Sequence, residues 1–538
     1  MAFVDTLRRI ARTPAEALLS PTAAAQEFDS TDTAAPATER GWPAVLILLA
    51  LAAWLARVGS AHEPWFDEAQ AWLLARDNSL TDLLLREVRY EGSPGLWHLL
   101  LWLVQRAGLP FSGLWLVSTT LACAGAAVIL FKAPFPLWLR AACVTSYFFA
   151  YQYAVVARSY ALDLLFLPVL ALLFRERRER PLLYCTVLGL CANSNAHSFI
   201  IAGILFTEFL IATWRAKTWP PRIVQACAIF IALAAAAVFQ ARVPADVSFI
   251  VGPRGVSWVY ALIQIDDAFM GSISLVTGAG LDPRSIALQW LATGFLLTPS
   301  IVLFWRAGVL PLFAALTASL IVFAFVEFAN AWHAGFLYLA WLFCLWQSWP
   351  QAGRLARNGR YTLIASLVFL SVIQTYGAIA AGLRDIASPY SSGPAMAVEL
   401  KAYRAAHPHA RIAGMGFKSF TVAPWFPANI FANYNGGAER PAYYKWITTN
   451  RFAYAAELPA WRKLATGGYD ALLLSPGEMA RPVIDACMTA AVKAGYCLAA
   501  KTEGGMIWRG SILEGDDLFL FARGAICAGP RTAAKAGN

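Results

Sequence analysis

Apolar runs recur along this chain in a number and at lengths that a water-soluble core does not need. They fall at about residues 43–59, 93–108, 113–131, 137–156, 159–174, 182–196, 198–214, 223–241, 285–305, 308–327, 333–349 and 361–381. A helix needs roughly 20 apolar residues to cross a bilayer, and several runs approach that length. Hydrophobic residues make up 59% of the 538, and charged residues only 14%, against roughly 25% in ordinary globular proteins. The chain therefore reads as a polytopic α-helical membrane protein, with roughly 11–13 spans. The shorter runs predict tilted or broken helices. Disordered, collagen-like and disulfide-framework classes are excluded.

The net charge of +10 does not indicate nucleic acid, because the basic residues sit in short clusters between apolar runs. Arg175, Arg177, Arg178 and Arg180 form one cluster; Arg215, Lys217 and Arg222 the next; Arg354, Arg357 and Arg360 the last, with Arg306 alone between. Such clusters mark cytoplasmic ends. The opposite ends are then external: 60–92, the stretch around 157–163, 194–198, 242–284, 327–333 and everything after 382. Residues 1–40 form a polar cytoplasmic segment, and the first apolar run starts too late for a cleaved signal peptide. Phe3, Val4, Leu7 and Ile10 suit either a short surface helix or a frayed terminus. Residues 60 and 158 both come out external with three runs between them. One of 93–108, 113–131 or 137–156 is therefore expected not to span.

The tail, 384–538, has a different texture. Helices are expected at 395–406 and 485–494, and strands at 410–414, 469–474 and 517–522, which makes a small α/β domain. The stretch 424–446, rich in Pro, Asn, Gly, Tyr and Trp, reads as an irregular loop or lid. Among the nine cysteines, Cys487 and Cys497 are a candidate disulfide if the tail is extracytoplasmic.

Polar residues at the external ends are the candidates for chemistry, because unpaired polar groups are costly at membrane depth. Asp67 and Glu68 lie in an aromatic setting just after the first run; they serve either as a helix N-terminus or as a source of a base. Glu91 and His98 flank a Ser93-Pro94-Gly95 break. Arg158 and Asp163, between two runs, either pair with each other or hold an anionic group and a sugar or metal. Asn193, Asn195, His197 and Ser198 form one polar knot, and Glu327, Asn330, Trp332 and His333 another. The 43-residue segment 242–284 adds Arg254 among other charges and is long for a plain connection.

These elements, in this order, resemble the membrane glycosyltransferases of the GT-C fold, in the branch of protein mannosyltransferases, aminoarabinose transferases and bacterial relatives. Asp67-Glu68-Ala69 matches that family's acidic motif in the first external loop. Gly92-Ser93-Pro94-Gly95-Leu96 stands where relatives often carry His-Pro-Pro-Leu, so the role of that His has no counterpart here. Ala157-Arg158-Ser159-Tyr160-Ala161-Leu162 is similar to an Ala-Arg-Pro-Tyr-Ala-Leu motif, and Asp163 is placed like a second acid of some members. The resemblance is specific over about 65–100 and 147–175.

The resemblance implies a multi-pass enzyme of a bacterial cytoplasmic membrane with its site outside. It implies a polyprenyl-phosphate-linked sugar as donor and a glycan, lipid or protein as acceptor. Asp67 is then the expected base. Glu68 orients it or shares its proton, and Asp163 positions the sugar or acceptor. Arg158 is expected to hold the leaving phosphate, with Arg254 or His333 as a second donor. Tyr160, His197 and Glu91 are expected substrate contacts, and Tyr443 and Trp446 in the lid suit sugar stacking or core packing. No cofactor is certain, and a divalent metal remains open. The rival readings are a secondary transporter or lipid flippase, which would carry its polar groups at the bilayer midplane, and a non-catalytic scaffold of an envelope polysaccharide assembly system, which needs no base.

Overall fold

A computed structural model of the protein describes residues 41–247, 258–271, 283–327, 330–447, 458–477, 479–523 and 531–532. The chain divides into two units, Met1–Pro43 and Ala44–Asn538, and only the last three residues of the first are described. Helix α1 (Trp42–Gly59) is followed by α2 (Phe66–Asp77), α3 (Leu96–Arg106), α4 (Leu114–Lys132) and α5 (Leu137–Val144). Then come α6 (Ala161–Leu173), α7 (Pro181–Ala192), α8 (Ala196–Arg215), α9 (Pro221–Ala241) and α10 (Trp258–Phe269). Helices α11 (Pro283–Arg306), α12 (Leu310–Val326), α13 (Gly335–Ser348) and α14 (Arg357–Ala387) complete this part.

Among the described residues, six helices are long and apolar enough to cross a membrane: α1, α4, α8, α9, α11 and α14. Helices α6, α7 and α12 are apolar but shorter. Every residue of α13 is buried, so this helix, apolar all round, runs through the interior. The chain is a mostly helical protein with the helices of a multi-pass membrane protein.

The run 93–108 yields only the 11-residue α3, about 16 Å long at 1.5 Å per residue, half of a ~30 Å hydrocarbon core. The run 137–156 breaks after the eight residues of α5 into a widened π-type turn, Phe148–Gln152. Neither run forms one straight helix of membrane length, and 93–108 is the shorter of the two. In the broken run, side-chain hydrogen bonds engage the tyrosines, two of them long-range. Tyr147 donates to Gln152 Oε1 (2.8 Å), Tyr151 to Asp385 (3.0 Å) and Tyr153 to the Trp332 carbonyl (2.6 Å).

The basic clusters stand at one set of helix ends. Arg175, after α6, donates to the Gln347 carbonyl near the end of α13 (3.1 Å), and Arg177 pairs with Glu208 of α8 (2.6 Å). The opposite ends of the same helices carry Arg158, His333 and His197, and α14 runs from Arg357 and Arg360 at its start to Asp385 at its end.

The C-terminal part holds α15 (Gly393–Ala406), β1 (Ile412–Met415), α16 (Leu458–Ala465), β2 (Ala471–Leu474), α17 (Arg481–Lys493), β3 (Cys497–Thr502), β4 (Gly505–Trp508), β5 (Ser511–Gly515), β6 (Leu518–Ala522) and β7 (Arg531–Thr532). The main sheet has the order β1-β2-β6-β3-β7, with β1–β2 and β3–β7 parallel and the rest antiparallel. Strands β1, β2 and β6 are buried throughout, as apolar runs covered on both faces should be. All five expected elements of the tail are present. Helix α16 and strands β3, β4, β5 and β7 were not expected; β3 mixes small and polar residues and β5 is largely exposed, so neither shows an apolar alternation.

The candidate Cys487–Cys497 bridge is absent. Cys487 is a free, buried thiol on α17, under Trp461, whose Nε1 donates to its carbonyl (2.7 Å). Cys497 is disulfide-bonded, and its partner lies outside the described residues.

Helices α4 and α6 pack closely because Gly125 has no side chain: a Cβ there would collide with the Leu164 carbonyl. Small residues at such crossings let backbones approach. Gly125→Ala should lower stability by about 1–3 kcal/mol, the usual cost of overpacking. Gly203→Ala, where a Cβ meets nothing within 4 Å, should leave the thermal midpoint in detergent unchanged or slightly raised.

Candidate active site

The first turn of α2 organises the site. Trp65 is extended at its start, and Glu68 reaches back to accept the Trp65 N–H (3.1 Å). Two carboxylates in a first turn complement the partial positive charge of a helix N-terminus. Adjacent helical residues point about 100° apart, and here they part company. Glu68 turns inward with a fully buried side chain. It accepts the Ala157 N–H on Oε1 (2.7 Å) and lies against His62 Nε2 on Oε2 (3.0 Å). The other ring nitrogen of His62 meets Asp385 at the end of α14 (2.8 Å), and Tyr151 donates to the same oxygen of Asp385 (3.0 Å). Burial works against a charge on His62, but Asp385 and Glu68 outweigh it and push its pKa up to about 10.

Asp67 turns the other way and pairs with Arg158 (Nη2 to Oδ2, 2.8 Å). Both remain partly open, with side-chain exposures of 32% and 23%. The Arg158 guanidinium lies over three rings, Tyr160 at 4.9 Å and Trp65 and Trp332 at 5.5 Å each, which is a favourable cation–π setting. Depth within the protein raises the Asp67 pKa above the usual carboxylate range, opposed by Arg158 and assisted by Glu68. The open third of the side chain tempers the burial effect. The C-terminal part supplies a second ion pair whose field reaches Asp67: Lys418, almost fully buried, bonds Glu514 (2.5 Å) and the Gly515 carbonyl (3.2 Å).

Tyr160 and His333 meet beside this pair (3.0 Å). His333 Nδ1 accepts the Asn330 N–H (3.1 Å), so Nε2 carries the proton and donates to the Tyr160 oxygen. Burial and the nearby His197 and Arg158 hold His333 neutral. His197 itself is stacked on Phe336, with centroids 4.7 Å apart, and lies 4.4 Å from His333. Asp163 does not pair with Arg158. It is fully buried in a separate knot, accepting from Asn195 Nδ2 (2.7 Å) and Cys191 Sγ (3.7 Å), and so ties α6, α7 and α8 together. Arg254 lies outside the described residues.

Glu91 approaches from the turn before α3. It accepts from Gln70 Nε2 (2.9 Å) and from the Trp446 side chain. Gln70 in turn bonds both the carbonyl (2.6 Å) and the N–H (2.9 Å) of Tyr444, pinning the 424–446 loop to α2. Tyr443 is buried, with its hydroxyl engaged by Asn78 and Glu87. Trp446 packs edge-on against Phe66 (5.9 Å) and Tyr444 (4.9 Å). The loop's tyrosines thus fill a core, and Trp446 is its half-buried aromatic nearest the acids.

The sequence reading missed His62, Asp385, Lys418 and Glu514. His62 has a local signal, a histidine five residues before an acidic motif; the others come from distant segments. No protein-family model and no curated protein matches this chain. Among the described residues, no group of three or more His, Cys, Asp and Glu side chains is arranged to hold a metal ion.

Burial pushes the Glu91 pKa up to about 8, with Asp67 adding to the rise and Gln70 and Trp446 opposing it. Relative to an unfolded carboxyl, Glu91 keeps its proton longer, so the folded state binds more protons between pH ~4.5 and ~8. Stability should therefore fall as pH rises through that window, by at most about 1.4 kcal/mol per unit. Thermal unfolding of wild type and Glu91→Gln should show the variant gaining on wild type from pH 5 to pH 8.

Proposed function

We propose that the protein is a membrane glycosyltransferase that moves a sugar from a polyprenyl-phosphate-linked donor to an acceptor on the outer side of a bacterial cytoplasmic membrane. The observation that carries this reading is the partly open Asp67–Arg158 pair (2.8 Å) at the ends of apolar helices and beside the C-terminal part. It joins the two motifs on which the resemblance to GT-C enzymes rests. The helix ends bearing Arg175, Arg215, Arg306 and Arg357 lie away from this pair, and basic ends favour the cytoplasm. The disulfide at Cys497 also suits an oxidising compartment.

In the resting state each charge satisfies the other. A donor phosphate competes for Arg158, whose planar fork matches phosphate oxygens. Asp67 is then released and, in its buried setting, becomes more basic. It takes the proton of the acceptor hydroxyl as that oxygen bonds to the anomeric carbon. The bond from that carbon to the phosphate oxygen breaks, and polyprenyl phosphate leaves with the electron pair, held by Arg158. Direct displacement inverts the anomeric centre. Tyr160, bonded to His333, backs the Arg158 guanidinium, and Glu91 stands as a second acid near Asp67.

Purified full-length protein in nanodiscs, supplied with lipid-linked sugars and candidate acceptors, tests the reading. Asp67→Asn should retain donor binding and lose at least about 10²-fold in turnover, the low end for a positioned base. Arg158→Lys should bind donor poorly, because it loses the fork. Transport of an unmodified lipid without sugar transfer would instead establish a flippase, and neither activity would leave a scaffold.

A further inference from the structure

We propose that His62 is a positioning residue: by bridging Glu68 and Asp385 it fixes the mutual placement of Asp67 and Arg158. This rests on the proposed function for its catalytic consequence, though not for its geometry. His62 lies outside both motifs and bonds Glu68 and Asp385 rather than the open pair itself. It acts through what it holds.

The chemistry of the contacts sets its state. Both ring nitrogens face carboxylate oxygens, Asp385 at 2.8 Å and Glu68 at 3.0 Å. Ionised carboxylates only accept, and a neutral imidazole has a single N–H to give. The three groups therefore share one more proton than a neutral ring with two carboxylates would carry, and a doubly protonated imidazole between two anions satisfies both contacts. All three side chains are within 1% of complete burial, where hydrogen-bonded opposite charges hold geometry tightly.

Two short paths lead from this clasp to the open pair. Glu68 is the chain neighbour of Asp67, and its bond to the Trp65 N–H (3.1 Å) fixes the helix turn from which Asp67 projects. Glu68 also holds the N–H of Ala157 (2.7 Å), the chain neighbour of Arg158. One carboxylate thus grips the backbone on both sides of the Asp67–Arg158 pair, and His62 holds that carboxylate against α14. The Tyr390 ring, 4.6 Å away and edge-on, closes the remaining side, and Tyr151 fixes Asp385 from the widened turn. Without the imidazole, Glu68 and Asp385 lose the group that bridges them, and the turn carrying Asp67 and the loop carrying Arg158 lose their common anchor to α14.

The test compares wild type, His62→Gln, Glu68→Gln and the double variant, each as the full chain in nanodiscs. Hydrogen exchange reads the clasp directly. The Ala157 amide should exchange at least 10-fold faster in His62→Gln, while protection in α4, α8 and the β1-β2-β6 sheet is kept. In the transfer assay, kcat should fall at least 10-fold in His62→Gln. The double variant should be no worse than the poorer single one, because both changes break one network. If His62→Gln does not fold, Asp385→Asn removes one of the two carboxylates and leaves His62 against Glu68, and the same comparison applies. An unchanged Ala157 amide, or exchange that accelerates uniformly through the chain, overturns the proposal. So do additive losses in kcat. Should wild type transfer no sugar while the exchange result stands, the glycosyltransferase reading fails and the clasp does not.

Discussion

Glu68 accepts the N–H of Trp65 and the N–H of Ala157, 89 residues further on, while His62 lies against the same carboxylate. The Glu68 side chain is fully buried, so its carboxylate needs partners from the protein. Here the partners are backbone groups and a histidine that is itself held by Asp385, 323 residues away. The start of α2, the loop before α6 and the end of α14 are thereby drawn to one point. Their other neighbours follow: Tyr151 and Tyr153 leave the regular helix to bond Asp385 and the Trp332 carbonyl, and α13 starts beside them. The short helix α5 and the widened turn after it make sense in this light. A segment that delivers side chains to a buried polar centre is not free to run straight across a bilayer.

The membrane helices were legible in the sequence because burial in lipid or in a helix core leaves a continuous apolar run. Each of the helices α6 to α9 lies within a few residues of the run that announced it. The breaks in 137–156 were not legible, since Tyr151 and Tyr153 keep a run apolar in composition while their hydroxyls bond distant segments. In the tail, β1, β2 and β6 betrayed themselves by apolar residues, whereas β3 is held by its neighbours in the sheet and carries little propensity of its own. Asp67 and Arg158 were legible as members of local motifs, and their pairing was not, because they stand 91 residues apart while Asp163, five residues from Arg158, was the one partner the sequence offered it. Chain proximity lost to the geometry of α6, which turns Asp163 toward Asn195.

The C-terminal part is joined to the membrane helices by specific polar contacts as well as by apolar packing. The β4–β5 hairpin buries Arg509 completely. Its guanidinium bonds the Asp267 carbonyl and lies 4.5 Å from the Tyr147 ring, while its N–H meets the Tyr147 hydroxyl (3.1 Å). A buried arginine is costly unless its hydrogen bonds are made, so the hairpin has one well-defined seat. Tyr147 is also bonded to Gln152 in the widened turn that supplies Tyr151, and the hairpin's seat is therefore continuous with the support of Asp385. From the same side, Gln70 and Glu91 hold the 424–446 loop to α2.

This arrangement bears on the proposed reaction at Lys418. The residue follows Phe417, which packs edge-on against Phe66 (4.8 Å), and Phe66 precedes Asp67. Lys418 is neutralised by Glu514 in the resting protein, just as Arg158 is neutralised by Asp67. Two cations near one acid, each with its own counter-charge, leave the site close to neutral when empty. An anionic donor that takes Arg158 from Asp67 adds negative charge in a region of low dielectric, and Lys418 is the nearby cation whose field already reaches that acid. The membrane helices and the C-terminal part would then each contribute one charge to holding the donor. On this view the short tether between Phe66 and Phe417 matters, because it fixes how far Lys418 stands from Asp67.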